Sequence, residues 1–309
     1  MCYSAQVYAE FKDFKRHFPD VKMDLNAYVK TFWWDRGLNP LAKAPRAMIR
    51  ELMEIGPPEL QATLRAADAE AIAQLEQEMF AQRKRVADAE RKLQTKETKK
   101  ARDDVRIGGN KVAQARKRMD MLKRTTLLPE DSRIYPGIYC PVMVVENGQR
   151  VVKPMRYQCR PAGLPPKFDI ERPGTYNARR DSLEGFWRRQ FGYSHGVMIA
   201  DRFYENVEGV DGRNRVLEFV PRTGEPMLIA CLWSHWTDPS GQAPDLLSFA
   251  AITDEPEPEV AAAGHDRTII NIRPEHLDAW LNPDPNDLAA LHAIFDDKRH
   301  PYYECREAA

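Results

Sequence analysis

Cysteine is scarce in this chain of 309 residues: five are present, scattered at Cys2, Cys140, Cys159, Cys231 and Cys305. The number is odd and no Cys-x-x-Cys pair occurs, so neither a disulfide framework nor a zinc ribbon is indicated, and no metal site is expected. Long apolar runs are missing as well. None approaches the ~20 residues that cross a bilayer, and the N-terminus has no signal-peptide core. Net charge is absent, because 46 Lys+Arg balance 46 Asp+Glu, so overall charge points to no class of partner. These absences predict a soluble, reduced, cytoplasmic protein without membrane association and without a cofactor. The length suffices for one large domain or two ordinary ones.

Proline and glycine are both missing from Glu59 to Arg106. Within that stretch Ile72, Leu75, Met79, Val86, Ala89 and Leu93 fall at alternating three- and four-residue steps, with Gln82 filling one position; this is a heptad seam. Gly108-Gly109-Asn110 reads as a breaker, after which Val112, Ala115, Met119 and Leu122 resume the spacing. The pattern predicts an inserted antiparallel helical hairpin over 58–125. Ala81 to Thr125 holds sixteen Lys/Arg and six Asp/Glu. Such a basic hairpin could track a phosphate backbone, meet a protein partner, associate with itself, or simply present a solvated face.

The rest of the chain has a different texture. Residues 5–19 carry apolar positions at helical spacing, and a second amphipathic segment follows from Asp24 to Gly37 and Pro40. The Phe32-Trp33-Trp34 cluster is expected to pack one element on another rather than to stack on bases. After Leu127 come short β-branched and aromatic runs: Tyr139–Glu146, Arg150–Lys153, Gly196–Ala200, Arg215–Val220, Met227–Trp233, Leu247–Thr253 and Thr268–Ile272. Asn147-Gly148 and Arg222-Thr223-Gly224 read as hairpin turns. Helices are expected over Asp181–Gln190 and Pro274–Leu281, the latter with proline in its first turn. The fold class is therefore α+β: one domain with a β-rich, mainly antiparallel core in segments 1–20 and 127–285, flanking helices, the inserted hairpin, and a C-terminal tail over 286–309.

Chemistry concentrates at four places. Removal of Met1 would leave Cys2 with a free α-amine beside its thiol. This 1,2-aminothiol condenses with aldehydes to a thiazolidine, and reference pKa values of about 8 and about 8.5 leave both reactive forms accessible near neutrality. Asn177-Ala178-Arg179-Arg180-Asp181 offers an orienting amide and arginines suited to phosphate. Ala200-Asp201-Arg202-Phe203-Tyr204-Glu205 sets carboxylates among aromatics, where burial can raise a pKa. Gly264-His265-Asp266-Arg267 carries an imidazole on a loop. Singly, each also has a structural explanation: a helix cap, a strand-end salt bridge, a surface histidine.

The order Met-Cys, Asn-Ala-Arg, Ala-Asp-x-Phe-Tyr-Glu and His-Asp-Arg resembles the SOS response-associated peptidase (SRAP) family, which processes abasic sites in DNA. Further matches are Tyr135-Pro136-Gly137, Pro154-Met155-Arg156-Tyr157, Gly224-Glu225-Pro226 and Asp278-Ala279-Trp280-Leu281. The resemblance covers residues 1–15 and 133–285 and leaves the hairpin as an insertion. It implies binding of single-stranded DNA containing abasic sites, and a covalent thiazolidine crosslink between Cys2 and the lesion's aldehyde, with autopeptidase and abasic-site lyase activities as further expectations. It also implies roles: Cys2 as nucleophile, Asn177 holding the N-terminus and sugar, Glu205 and His265 moving protons, and Arg179 on a DNA phosphate, with Asp266 and Arg267 bracing their loop. The chain departs from the family at Tyr3-Ser4, where Gly-Arg is usual and the arginine contacts DNA. It departs again at Arg160–Pro165, which lacks tryptophans, and at Arg202, Asn206 and Thr268-Ile269. Two other readings of Cys2 and the hairpin are an N-terminal-nucleophile peptidase or amidohydrolase, and a non-enzymatic DNA-binding platform.

Overall fold

The computed structural model describes residues 3–34, 37–39, 43–209 and 212–308, without the side chains of Trp34, Gly37 and Leu38. Cys2, the expected nucleophile, lies outside the described residues. The chain divides into two compact units, one of residues 1–51 with 128–309 and one of residues 52–127.

The first unit begins with β1 (Ser4–Val7), α1 (Phe11–His17), β2 (Lys22–Met23), α2 (Leu25–Phe32), β3 (Trp33–Trp34) and β4 (Gly37–Leu38), then α3 (Arg46–Ile55) leads into the second unit. The spacing over residues 5–19 predicts a short helix, and one forms at Phe11–His17, but the first part of the stretch is strand. All four residues of β1 are buried, held between β5 (Arg133–Ile134) and β9 (His195–Glu208). Cross-strand pairing outweighs the helical spacing there, because pairing and burial satisfy backbone and side chains together. Phe32 packs edge-on against Tyr139 with ring centres 6.0 Å apart, so that residue takes the packing role expected of its aromatic cluster.

The second unit is a helical hairpin of α4 (Pro58–Thr95) and α5 (Lys99–Lys123). The breaker expected at Gly108-Gly109-Asn110 is not one. Those residues sit inside α5, and the chain turns at Lys96–Thr98, where the Thr98 hydroxyl accepts the Ala101 N–H at 3.2 Å as an N-cap. Gly108 serves close approach instead: a Cβ there would lie 2.7 Å from Val86 Cγ2. Ala89, Ala101, Gly108 and Ala115 form the buried seam, and Arg85–Asp104 and Lys123–Glu76 pairs tie the helices at 2.5 and 2.8 Å.

Beyond the hairpin follow β6 (Tyr139–Glu146), β7 (Gln149–Tyr157), α6 (Phe168–Glu171), β8 (Asn177–Arg179), β10 (Asn214–Pro221), β11 (Met227–Trp236) and β12 (Leu246–Asp254). The chain ends through α7 (Pro258–Ala262), β13 (Thr268–Ile269), α8 (Leu277–Leu281), α9 (Leu288–Asp296) and β14 (Tyr303–Glu307). Among the described residues, twelve strands share one sheet. β9 pairs with β11 and β6, β6 with β7, β7 with β12 in parallel, and β12 with β11, which closes a barrel-like circuit. The far half of β9 leaves this circuit and pairs with β1 and β10. The α+β class with a β-rich core and an inserted helical hairpin is thus the observed one.

Two further differences concern the C-terminal half. Asp181–Gln190 is a short 3-10 turn followed by successive turns rather than an α-helix. Leu183, Trp187 and Phe191 are each buried in the hydrophobic core with Trp280 and Phe295, and their anchoring replaces a regular helix. The stretch 286–309, expected as a tail, contains α9 and β14, and β14 extends the sheet along β10. The core between sheet and helices centres on Trp280, whose indole N–H donates to the Gly196 carbonyl at 2.9 Å and whose ring stacks 3.8 Å from that of His195. Burying such an aromatic contributes roughly 2–3 kcal/mol.

Candidate active site

Glu205 lies on the far half of β9, where Ser4↔Tyr204 and Ala5↔Phe203 set the register against the N-terminal strand. The Tyr3 backbone N–H reaches the Tyr204 carbonyl at 3.4 Å. Glu205 is 1% exposed. Burial pushes its carboxyl well above the usual carboxylate range, against the lowering effect of the nearby Tyr3 N–H.

His265 comes from a different element. The chain leaves helix α7 through Gly264, which takes φ +90°. The Gly264 N–H bonds the Ala261 carbonyl at 2.9 Å and the His265 N–H bonds the Val260 carbonyl at 3.1 Å, the paired bonds of a Schellman ending. This left-handed turn sends His265 back toward β9, and its Nε2 stands 3.3 Å from Glu205 Oε2. Nδ1 is held by the Arg267 backbone, 3.0 Å from its carbonyl. Burial lowers the His265 pKa below its ordinary value, with the nearby Arg267 charge acting in the same direction. Two groups that burial drives toward their neutral forms therefore meet at hydrogen-bond range.

Asn177 is buried at the start of β8, opposite Ala251 of β12. The Tyr157 hydroxyl donates to its Oδ1 at 3.3 Å, which orients the amide with its nitrogen on the other side. Tyr157 is itself fixed by stacking on Phe249 at 5.2 Å. Arg179 is half exposed and pairs with Asp181 at 2.8 Å. Its neighbour Arg180 is committed elsewhere, braced by Asp254 at 3.1 Å and Asp296 at 2.5 Å. Among the described contacts, then, Glu205 and His265 meet directly, Asn177 is held by Tyr157, and Arg179 stands on the surface. Among the described residues no group of three or more His, Cys, Asp or Glu is placed to hold a metal, and no helix is long and apolar enough to cross a membrane.

The family model described as SOS response associated peptidase (SRAP) matches residues 90–308. The chain belongs to the SRAP family. The match begins within α4, so it takes in α5, which the motifs had left outside, and it runs through β14. Solved structures similar to this SRAP chain include a protein from Bordetella bronchiseptica, 19% identical with a TM-score of 0.49, over 58% of this chain and 87% of that one. A protein from Bacteroides thetaiotaomicron is 14% identical with a TM-score of 0.47, over 58% and 78%. A phage-related protein from Bordetella bronchiseptica is 17% identical with a TM-score of 0.44, over 60% and 85%. No curated protein sequence matches the chain.

The positions at which this SRAP chain departs from the family pattern have visible uses. Ser4 Oγ receives both the Nε and the Nη2 hydrogens of Arg133 at 3.2 and 3.0 Å. The same guanidinium lies 3.6 Å from the Tyr204 ring centre and 5.1 Å from that of Tyr135. Tyr3 meets Tyr135 edge-on at 5.7 Å, and both rings are exposed. Sequence reasoning missed Arg133 altogether; its position two residues before Tyr135-Pro136-Gly137 was the available signal. Arg202 reaches Glu218 at 2.7 Å, beside the Tyr204 hydroxyl at 3.1 Å. The loop after Arg160 has Trp236 behind it, with Arg160 4.5 Å over the ring and the indole N–H donating to the Leu164 carbonyl at 2.7 Å. A cavity of about 550 Å³, lined in part by Trp33, Lys153, Trp233 and His235, contains none of the expected site residues. The chemistry of the Glu205–His265 pair outweighs cavity size as a guide to the site.

Proposed function

We propose that this protein binds single-stranded DNA and captures abasic sites covalently through Cys2, after loss of Met1. The α-amine attacks the aldehyde carbon of the opened sugar, and the carbinolamine loses water to an imine. The Cys2 sulfur then adds to the imine carbon while the nitrogen takes up a proton, closing the thiazolidine. Departure of water needs a proton donor, and Glu205, kept protonated by burial, is the donor in this reading. His265 restores or removes that proton from 3.3 Å. Asn177 holds the amine and sugar, and Arg179 contacts a phosphate.

The observation that carries the reading is the approach of half-buried His265 to buried Glu205 beside the N-terminal strand. Tyr3 bonds the residue adjacent to Glu205, and Cys2 is the chain neighbour of Tyr3. Membership of the SRAP family supports a role in the response to DNA damage. The test is incubation with a single-stranded oligonucleotide bearing one abasic site, followed by denaturing electrophoresis. A denaturant-resistant band is expected with the wild type, and none with Cys2→Ala or with Met1 retained. A wild-type protein with verified N-terminal Cys2 that forms no such band overturns the proposal. The family description also names a peptidase, and hydrolytic turnover independent of DNA would favour that second reading.

A further inference from the structure

The chain is neutral in total but polarised in its parts. Ala81–Thr125 contains sixteen Lys/Arg and six Asp/Glu, leaving 30 and 40 of the 46 of each sign to the rest. The remainder of a protein read as binding a polyanion is thus itself acidic. Charge also changes sign along α4: Pro58–Phe80 holds five acids and only Arg65 as a cation.

Ion pairing sorts the hairpin's cations into two classes. Asp88 pairs with Arg91, Glu97 with Arg102 at 3.1 Å, Asp103 with Arg106 at 3.3 Å, Asp104 with Arg85 at 2.5 Å and Asp120 with Arg116 at 4.0 Å. The acids are therefore engaged by arginines, apart from Glu90. Among the described residues no acidic partner is found for Lys99, Lys100, Lys111, Lys117 or Arg118, and all five are exposed. At 100° per residue, Lys100, Lys111 and Arg118 align within about 20° in a row flanking the buried Ala101–Gly108–Ala115 seam, while Lys99 and Lys117 align on the side opposite it. The rows run about 27 Å along α5 at 1.5 Å per residue.

We propose that α5 is a nucleic-acid-binding surface that holds a phosphodiester backbone without reading its sequence. A duplex carries one phosphate charge per ~1.7 Å of axis, so about sixteen charges, on both strands together, lie along a length equal to these rows. Four of these five cations are lysines, mobile point charges suited to such contacts, whereas Arg102, Arg106 and Arg116 of α5 are already taken by carboxylates. An acidic protein partner fits less well. Protein interfaces are built around an apolar core, and the exposed large hydrophobics described in this unit, Ile55 and Phe80, lie outside α5. The inference goes beyond the Cys2 reading and does not depend on it.

The test uses the full-length protein and oligonucleotides without abasic sites, so that no covalent chemistry enters. Fluorescence anisotropy against a single strand and a duplex of about 30 nucleotides is followed from ~50 to ~200 mM salt. Replacement of Lys99, Lys100, Lys111, Lys117 and Arg118 by Gln is expected to weaken binding at least about tenfold at low salt and to flatten the log–log salt slope by about 4. Circular dichroism checks that helicity is retained. If the fivefold variant loses helicity, Lys111→Gln with Arg118→Gln is measured instead, with an expected slope change of about 1.5. Unchanged affinity and slope for both nucleic acids overturn the proposal. So does a loss seen with polyglutamate but not with DNA, which would assign α5 to an acidic protein.

Discussion

His265 Nε2 stands 3.3 Å from Glu205 Oε2, and burial drives the two groups toward their neutral forms from opposite directions. A protonated carboxyl facing a neutral imidazole holds one transferable proton between two bases. Proton transfer of this kind commonly contributes 10²–10⁴-fold to a rate.

Glu205→Gln keeps the shape of the side chain and removes the transferable proton. The rate of abasic-site crosslinking at pH 7 is expected to fall about 10²-fold. The wild-type rate should also decline as pH rises through the elevated Glu205 pKa, and this alkaline limb should vanish in the variant. Quenched time courses across pH decide it; a variant with the wild-type rate and limb removes Glu205 from the mechanism.

The same substitution has a stability consequence of definite sign. A carboxyl whose folded pKa is raised contributes stability below its unfolded value, near 4.3, and loses it as pH rises toward the folded value. Glu205→Gln is therefore expected to raise the melting temperature at pH 8 and to change it little at pH 4. Equal effects at both values would contradict the burial of a neutral acid.

His195 gives the opposite dependence. It is buried against Trp280, accepts the Gly192 N–H at 2.8 Å and lies 3.0 Å from the Trp280 carbonyl. Burial lowers its pKa to about 3, against the raising effect of that carbonyl. The folded protein stays unprotonated while the unfolded chain takes a proton near 6.5, so stability is present above that value and is lost as pH falls toward 3. At pH 4 the loss is about 3 kcal/mol. Urea titrations of wild type and His195→Gln at pH 7 and pH 4 should show this increment only in the wild type.

The exposed Tyr3–Tyr135 pair beside Arg133 is suited to stack an unpaired base. Tyr3→Ala is expected to weaken binding of unmodified single strands by about 1–3 kcal/mol, with duplex binding less affected. Anisotropy with both ligands checks this, and equal affinities for wild type and variant would leave the pair a purely structural contact.

Adjacent glycines in α5 separate two effects. Nothing lies within 4 Å of a Cβ placed on Gly109, so Gly109→Ala should stabilise the hairpin by about 0.5–1 kcal/mol through helix propensity alone. Gly108→Leu must displace Val86 and is expected to cost about 1–3 kcal/mol. Thermal melts followed by circular dichroism report both, and a destabilising Gly109→Ala would contradict the placement of these residues.

Much of this architecture was legible in the residues. The heptad seam from Ile72 to Leu122, the strand Tyr139–Glu146 and the motifs around Asn177, Glu205 and His265 depend on local periodicity and short signatures that a chain carries in its order. Other features depend on partners distant in sequence. Residues 4–7 are strand because β5 and β9 flank them, Gly108 packs a helix rather than ending one because Val86 lies opposite, and residues 303–307 join the sheet because β10 offers an edge. The meeting of Glu205 with His265 is of the same kind. Sequence order placed a carboxylate on a strand and an imidazole after a glycine-ended helix; only tertiary packing brought them within 3.3 Å, burying Glu205 and half-burying His265. Desolvation raises the Glu205 pKa and lowers that of His265, and it depends on every neighbour around a group and not on its own segment.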